Sequence, residues 1–127
     1  MKGHTIDIQP LDAHVVVEID GVRVAESREA VVLQETGLPP RYYLPREHVR
    51  ADVLRATPKA TECPFKGEAS YMSIELDGGR TVENLVWVYE QPIAEAAAIA
   101  GRLAFFNEHV DLIVDGERQP RPDTPWS

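Results

Sequence analysis

A mainly β domain of antiparallel sheets with one short helix is the fold class this sequence predicts. Asp20-Gly21 sits between Val15-Val16-Val17-Glu18-Ile19 and Val22-Arg23-Val24-Ala25, a two-residue hairpin signal between β-branched runs. Ser70 to Leu76 alternates, with Met72, Ile74 and Leu76 on one side and Tyr71, Ser73 and Glu75 on the other. Only Pro92 to Ala100 carries convincing start and stop signals of a helix.

The remaining elements follow in chain order. Ala30 to Thr36 is a third β-branched run, closed by Gly37 and Pro39-Pro40. Tyr42-Tyr43-Leu44 is short and extended, because Pro45 disfavours a helical residue before it. Pro45 can then open one helical turn through Val49. Gly78-Gly79 turns the alternating strand into Arg80 to Tyr89, where Leu85, Trp87 and Tyr89 oppose Val82, Val86 and Val88. Both faces of that strand are apolar, so it is expected to be central, with a layer on each side. In the helix, Pro92 opens, Glu95 lies near the start, alanines fill the middle and Gly101 is placed to follow the last turn. Leu103 to Phe106 and Val110 to Val114 read as two more strands, the second ended by Asp115-Gly116. Residues 1–118 read as one compact domain and 119–127 as a loosely held tail with Pro120, Pro122 and Pro125.

The chain has 127 residues, enough for one domain with a real core, and 43% of them are hydrophobic. No apolar run is long enough to suggest a membrane span. Met1-Lys2-Gly3-His4 leads into polar sequence with no secretory core, and a single cysteine fits a reducing compartment, so a cytoplasmic location is the expectation. The formal net charge of -8 opposes non-specific binding to nucleic acid, which draws its affinity from phosphate neutralisation. One stretch departs from that balance. Between Arg41 and Lys66 stand Arg41, Arg46, Arg50, Arg55, Lys59 and Lys66 against Glu47, Asp52 and Glu62. That stretch is either a solvated surface or an anion-accepting face.

Several chemistries lack their residues. His4, His14, His48 and His109 are scattered and Cys63 stands alone, so the ligand pairs of a structural zinc site are missing and neither metal nor cofactor is expected. There is no P-loop, no dinucleotide-binding glycine pattern and no G-x-S-x-G elbow. Thr61-Glu62-Cys63-Pro64-Phe65-Lys66-Gly67-Glu68-Ala69-Ser70-Tyr71 is the most informative stretch. Lys66 follows Cys63 by three residues, where a turn could bring its ammonium close and favour the thiolate. The alternative is that Cys63 is a small buried hydrophobe in a corner. His48 and His109 are the available general bases. Glu35 with Glu75 is a conceivable carboxylate pair, although an exposed-surface reading is favoured. Tyr42, Tyr43, Tyr71, Trp87 and Tyr89 supply most of the aromatic inventory, and strand alternation lets at most half of them share a pocket.

Arg41-Tyr42-Tyr43-Leu44-Pro45-Arg46-Glu47-His48-Val49, Cys63 to Tyr71, Ile93 to Phe106 and Val110 to Gly116 together closely resemble the family known as domain of unknown function 427. The likeness runs from about Val15 to Arg118. It implies a small bacterial β-tent-like domain, similar to methionine sulfoxide reductase B and Mss4-like domains. Many of those relatives hold zinc with two Cys-x-x-Cys pairs, which this chain lacks. A nucleotidyltransferase label has also been attached to the family, but this chain has no Gly-Ser pair followed by spaced carboxylates. The family's recurring residues fall on Arg41, Tyr43, Pro45, Cys63, Pro64, Lys66, Gly67 and Tyr71.

The resulting expectation is a small-ligand site, binding or catalytic, on one face of the sheet. Arg41 and Lys66 would hold an anionic group, Tyr43 and Tyr71 would offer hydroxyls and ring faces, and Cys63 would touch the ligand or act as nucleophile. The alternative is a non-catalytic interaction module in which the same residues pack a corner and a sheet edge or apolar patch recruits a partner. Exposed sheet edges also allow a homodimer.

Overall fold

The computed structural model describes residues 3–127; Met1 and Lys2, which begin the stretch read as lacking a secretory core, lie outside the described residues. Eleven strands form two antiparallel sheets. They are β1 (Ile6–Pro10), β2 (Val15–Ile19), β3 (Val22–Ser27), β4 (Val31–Glu35), β5 (Arg41–Leu44), β6 (Leu54–Cys63), β7 (Gly67–Glu75), β8 (Thr81–Val88), β9 (Leu103–Phe105), β10 (Asp111–Val114) and β11 (Glu117–Arg118). The larger sheet has the order β1-β4-β5-β9-β8-β7-β6 and the smaller β11-β10-β2-β3.

The Asp20-Gly21 hairpin forms as its turn chemistry demands. Ile19 pairs with Val22, and both turn residues take positive φ, 51° and 80°. That is the turn whose twist matches the flanking strands. β2 and β3 then present Val15, Val17, Ile19 and Val24 to the larger sheet, where Leu44, Ile74, Val86, Val88 and Leu103 meet them. This inter-sheet core is almost wholly aliphatic.

β8 is interior to its sheet and buries both faces, as its double apolar pattern predicts. Val86 and Val88 enter the inter-sheet core, while Trp87 and Tyr89 belong to a second core on the opposite face. Leu85 departs from the expectation: it packs with Val86 in the inter-sheet core, not with Trp87. Met72 pairs with Val86 and Ile74 with Val82, so three residues of β8 stand opposite Ser73 alone. Asn84 in this bulge has φ 52°, and its N–H donates to Ser73 Oγ at 3.0 Å. The bulge breaks the simple alternation from which the side of Leu85 was read.

The expected helix is also different in kind. Ala94–Ile99 is a 3-10 segment, kinked at Ala96, in which the N–H of Ala96 bonds the carbonyl of Ile93. Its two buried side chains, Ala96 and Ile99, are three apart, the spacing that a three-residue turn aligns. The segment is also pinned at both ends. Ile93 N–H donates to the Lys66 carbonyl and Gly101 N–H to the Tyr89 carbonyl, each at 2.9 Å. Alanine propensity yields to this short span between fixed anchors. Pro45 precedes a second 3-10 turn at Arg46–His48, and a third follows at Ala51–Val53. Among the described residues no helix is long and apolar enough to cross a membrane.

The larger sheet is strongly curled. β4 and β7 have three strands between them, about 19 Å if the sheet were flat. Yet Lys66, in the turn before β7, is ion-paired with Glu35 at the end of β4. The His4 ring stacks on Phe65 of the same turn, centroids 3.9 Å apart. The two ends of the sheet thus close over the second core.

Candidate functional site

Alternation decides what reaches the concave face. On β5, Arg41 and Tyr43 point toward it, while Tyr42 and Leu44 pack against the inter-sheet core. Tyr43 and Trp87 both pair with Ala104, from β5 and β8 respectively. The small alanine leaves room above it, and Trp87 Nε1 donates to the Tyr43 hydroxyl across that gap at 3.0 Å. Tyr71, directly opposite Trp87, continues the row, and its hydroxyl shares a hydrogen bond with Thr61 at 2.9 Å.

A cavity of about 300 Å³ lies over this row. Tyr43, Tyr71, Trp87, Tyr89, Phe106 and Trp126 give it aromatic walls. Its charged lining is Arg41, Lys59 and Lys66 against Glu35. That size and composition are typical of a small-molecule site.

The two buried cations are held differently. Arg41 is clamped by Glu108: Nη1 and Nη2 donate to its two carboxylate oxygens at 2.7 and 3.0 Å, and Nη1 also donates to Asn107 Oδ1 at 2.6 Å. Thr124 Oγ1 adds a bond to Glu108 at 2.6 Å. Burial pushes the Glu108 carboxyl up, but the bonds from Arg41 and Thr124 outweigh it and hold the group at about 2. The guanidinium lies 5.3 Å from the Trp87 ring, 5.7 Å from Phe106 and 5.9 Å from Trp126. Three of its five donors are engaged on carboxylate and amide, so its charge is largely committed to Glu108 and its ring-stacked face forms part of the cavity wall.

Lys66 is 8% exposed and Glu35 9%. Nζ donates to Glu35 Oε1, and Glu35 Oε2 accepts from His4 Nε2 at 2.9 Å. An ammonium has three donors and Glu35 occupies one, so Lys66 keeps capacity for an incoming acceptor. Nζ also lies 6.0 Å from the Tyr89 ring. Lys59, on the edge strand β6, stands 4.6 Å over the Tyr71 ring. Burial pushes both the Tyr43 and Tyr89 phenols above their ordinary range, so they serve as neutral hydroxyls at neutral pH.

The structure therefore brings Arg41, Tyr43, Lys66 and Tyr71 to one cavity and leaves Cys63 outside its lining. Cys63 closes the β6–β7 hairpin, pairing with Gly67, and its half-buried side chain packs against the second core. Gly67 has φ 119°, and a Cβ there would stand 3.4 Å from Pro92 Cα, so this turn docks tightly on the following loop. His48 bonds Ser27 and His109 bonds the Trp126 carbonyl; neither lines the cavity, nor does Glu75. Among the described residues no three His, Cys, Asp or Glu side chains cluster as metal ligands would.

A family model described as Domain of unknown function (DUF427) matches residues 7–116. The chain belongs to that family. Comparison with curated proteins gives no match. The DUF427 match takes in Arg41, Tyr43, Lys66, Tyr71, Trp87 and Glu108, while His4, Thr124 and Trp126 fall outside it. Sequence reasoning missed these three at the site, and with them Asn107 and Glu108, the partners of Arg41. Trp126 lies in the segment read as a tail, yet it forms a wall, and its carbonyl accepts from His109 Nε2 at 2.6 Å. A tryptophan among prolines is the one local signal in the sequence that could have marked it.

Proposed function

We propose that this DUF427 domain binds a small aromatic acid in the concave cavity. One observation carries the reading: a buried ammonium with unused donors, Lys66, opens into a hollow of about 300 Å³ with aromatic walls. The rings take the flat body of the ligand, and Lys66, helped by Lys59, takes its anionic group. Arg41 and Tyr43 shape the hollow from behind, Tyr71 offers a ring face, and Cys63 supports the turn that carries Lys66. Every buried side-chain nitrogen and oxygen among the described residues already has a partner. The buried polar groups of the site are thus held in place before the ligand arrives, which reduces the ordering cost of binding.

The interaction-module reading rests on β6, whose outer edge is unpaired and whose residues are largely exposed. Pro58, the bulge between Ala56 and Ala60, and the charges of Arg55 and Lys59 blunt that edge as a template for strand addition or for a homodimer. The cavity has no such obstruction, which is why the ligand reading is preferred. A cytoplasmic setting remains part of the proposal through the single free thiol.

Benzoate, benzylamine and inorganic phosphate separate the elements of the claim. Benzoate should raise the melting midpoint and quench tryptophan fluorescence at about 10 mM, the range of weak fragments. Benzylamine and phosphate should each do less, and Lys66→Met should abolish the benzoate effect. No response to benzoate, or an equal response to benzylamine, would reject the reading.

A further inference from the structure

Beside the aromatic cavity lies a second hollow of about 440 Å³, lined by Glu83, Asn84 and His109 among others. The two hollows share three wall residues, Lys59, Phe106 and Trp126. Phe106 is fixed from the sheet, its N–H bonded to the Leu85 carbonyl at 3.0 Å. Lys59 is anchored on β6. Trp126 is different. Trp126 is 48% exposed, and it is held by contacts of the C-terminal segment: Thr124 to Glu108, and the Trp126 carbonyl to His109. Thr124 also accepts the Trp126 N–H at 3.1 Å, so the segment is a short folded strap and not a loose extension.

We propose that Trp126 is the specificity-determining residue of the site, the removable part of a wall between two chambers. With the indole in place the aromatic chamber admits a compact aromatic acid. With it withdrawn, the chambers join and a longer aromatic acid can run from Lys66 into the hollow by Asn84 and His109. This inference rests on the aromatic-acid reading above. Its physical basis is steric: a shared wall excludes a long ligand, and an excluded group of even modest size discriminates on the order of tenfold or more.

Two probes test it, benzoate and the rigid biphenyl-4-carboxylate, titrated against the wild-type chain and against Trp126→Ala, with circular dichroism to check folding. The ratio of biphenyl-4-carboxylate to benzoate affinity should rise about tenfold in Trp126→Ala. Thr124→Val, which loosens the strap at Glu108 and keeps the indole, should move the ratio the same way by a smaller factor. It also serves as the second variant should Trp126→Ala fold poorly. A wild type that binds benzoate, with a ratio unchanged or lowered in both variants, overturns the wall and leaves the aromatic-acid reading standing. A wild type that binds neither probe overturns both.

Discussion

The two faces of the seven-stranded sheet are built from the same strands and do opposite things. Toward the smaller sheet, Leu44, Ile74, Val86, Val88 and Leu103 make an aliphatic core. Away from it, alternate residues of those strands supply Tyr43, Trp87 and Tyr89, with Arg41 and Lys66 buried among the aromatic residues that line the cavity. The first face gains its stability from removing apolar surface from water. The second carries buried charges whose desolvation is offset by ion pairing and hydrogen bonds, together with a hollow that packing has left open. The lesson is that a period of two lets one sheet separate stability from chemistry.

The largest expected effect breaks that comparison at its electrostatic end. Glu108→Ala would leave the Arg41 guanidinium buried without its carboxylate, and should cost about 3–5 kcal/mol in denaturant unfolding. Arg41→Met combined with Glu108→Leu should cost much less than the sum of the two single changes. Acid sharpens the same point. The Glu108 carboxyl is held at about 2, below its ordinary 4.5. The unfolded chain therefore takes up this proton first as pH falls. The contribution is fully present above about pH 4.5 and is lost on the way down to about 2. The stability gap between wild type and Glu108→Gln should narrow across that window; a gap independent of pH would show that the charge is not what matters.

Next in size is the aliphatic face. Leu103 is fully buried, and Leu103→Ala should cost about 2–5 kcal/mol while leaving the midpoint rise caused by benzoate unchanged. A lost benzoate response would mean that the two faces are coupled. Tyr43→Phe should follow, at about 1–3 kcal/mol, because Trp87 Nε1 loses its acceptor in a buried setting. Urea midpoints measured on matched samples test this, and no change in midpoint would show that the indole finds another partner. The smallest effect is expected for Cys63→Ser, under about 1 kcal/mol, with the benzoate response retained. A lost response there would return the thiol to the site.

What was legible in the sequence was what local chemistry dictates. Asp20-Gly21 forced its hairpin because few residue pairs accept two positive φ angles in succession. Met72, Ile74 and Leu76 declared their shared side because nothing interrupts β7 between them, and all three enter the inter-sheet core. The side of Leu85 was misread because the extra residues sit in β8 and are visible only once Ser73 is placed opposite them. β1 and β6 gave weak signals: both are sheet-edge strands, β1 has no buried residue, and β6 is largely exposed, interrupted by Pro58 and ordered by pairing with β7. At the site, Arg41, Tyr43, Lys66 and Tyr71 stood out as residue types. Their partners could not. Glu108 is 67 residues from Arg41 and becomes its neighbour only through the pairing of β5 with β9, while Glu35 is 31 from Lys66 and meets it only through the curl of the sheet.

The closing of the cavity by the chain's far segments has a practical consequence. Ser127 follows the indole wall directly, and its hydroxyl accepts the Thr124 N–H at 2.8 Å. Any peptide joined after Ser127 therefore sets out from the rim of the cavity, where a flexible or charged extension competes for the space a ligand would enter. On the other side, His4 bonds Glu35, the same carboxylate that holds Lys66. A handle joined after Ser127 is a chemical neighbour of the pocket and becomes a variable in every binding measurement.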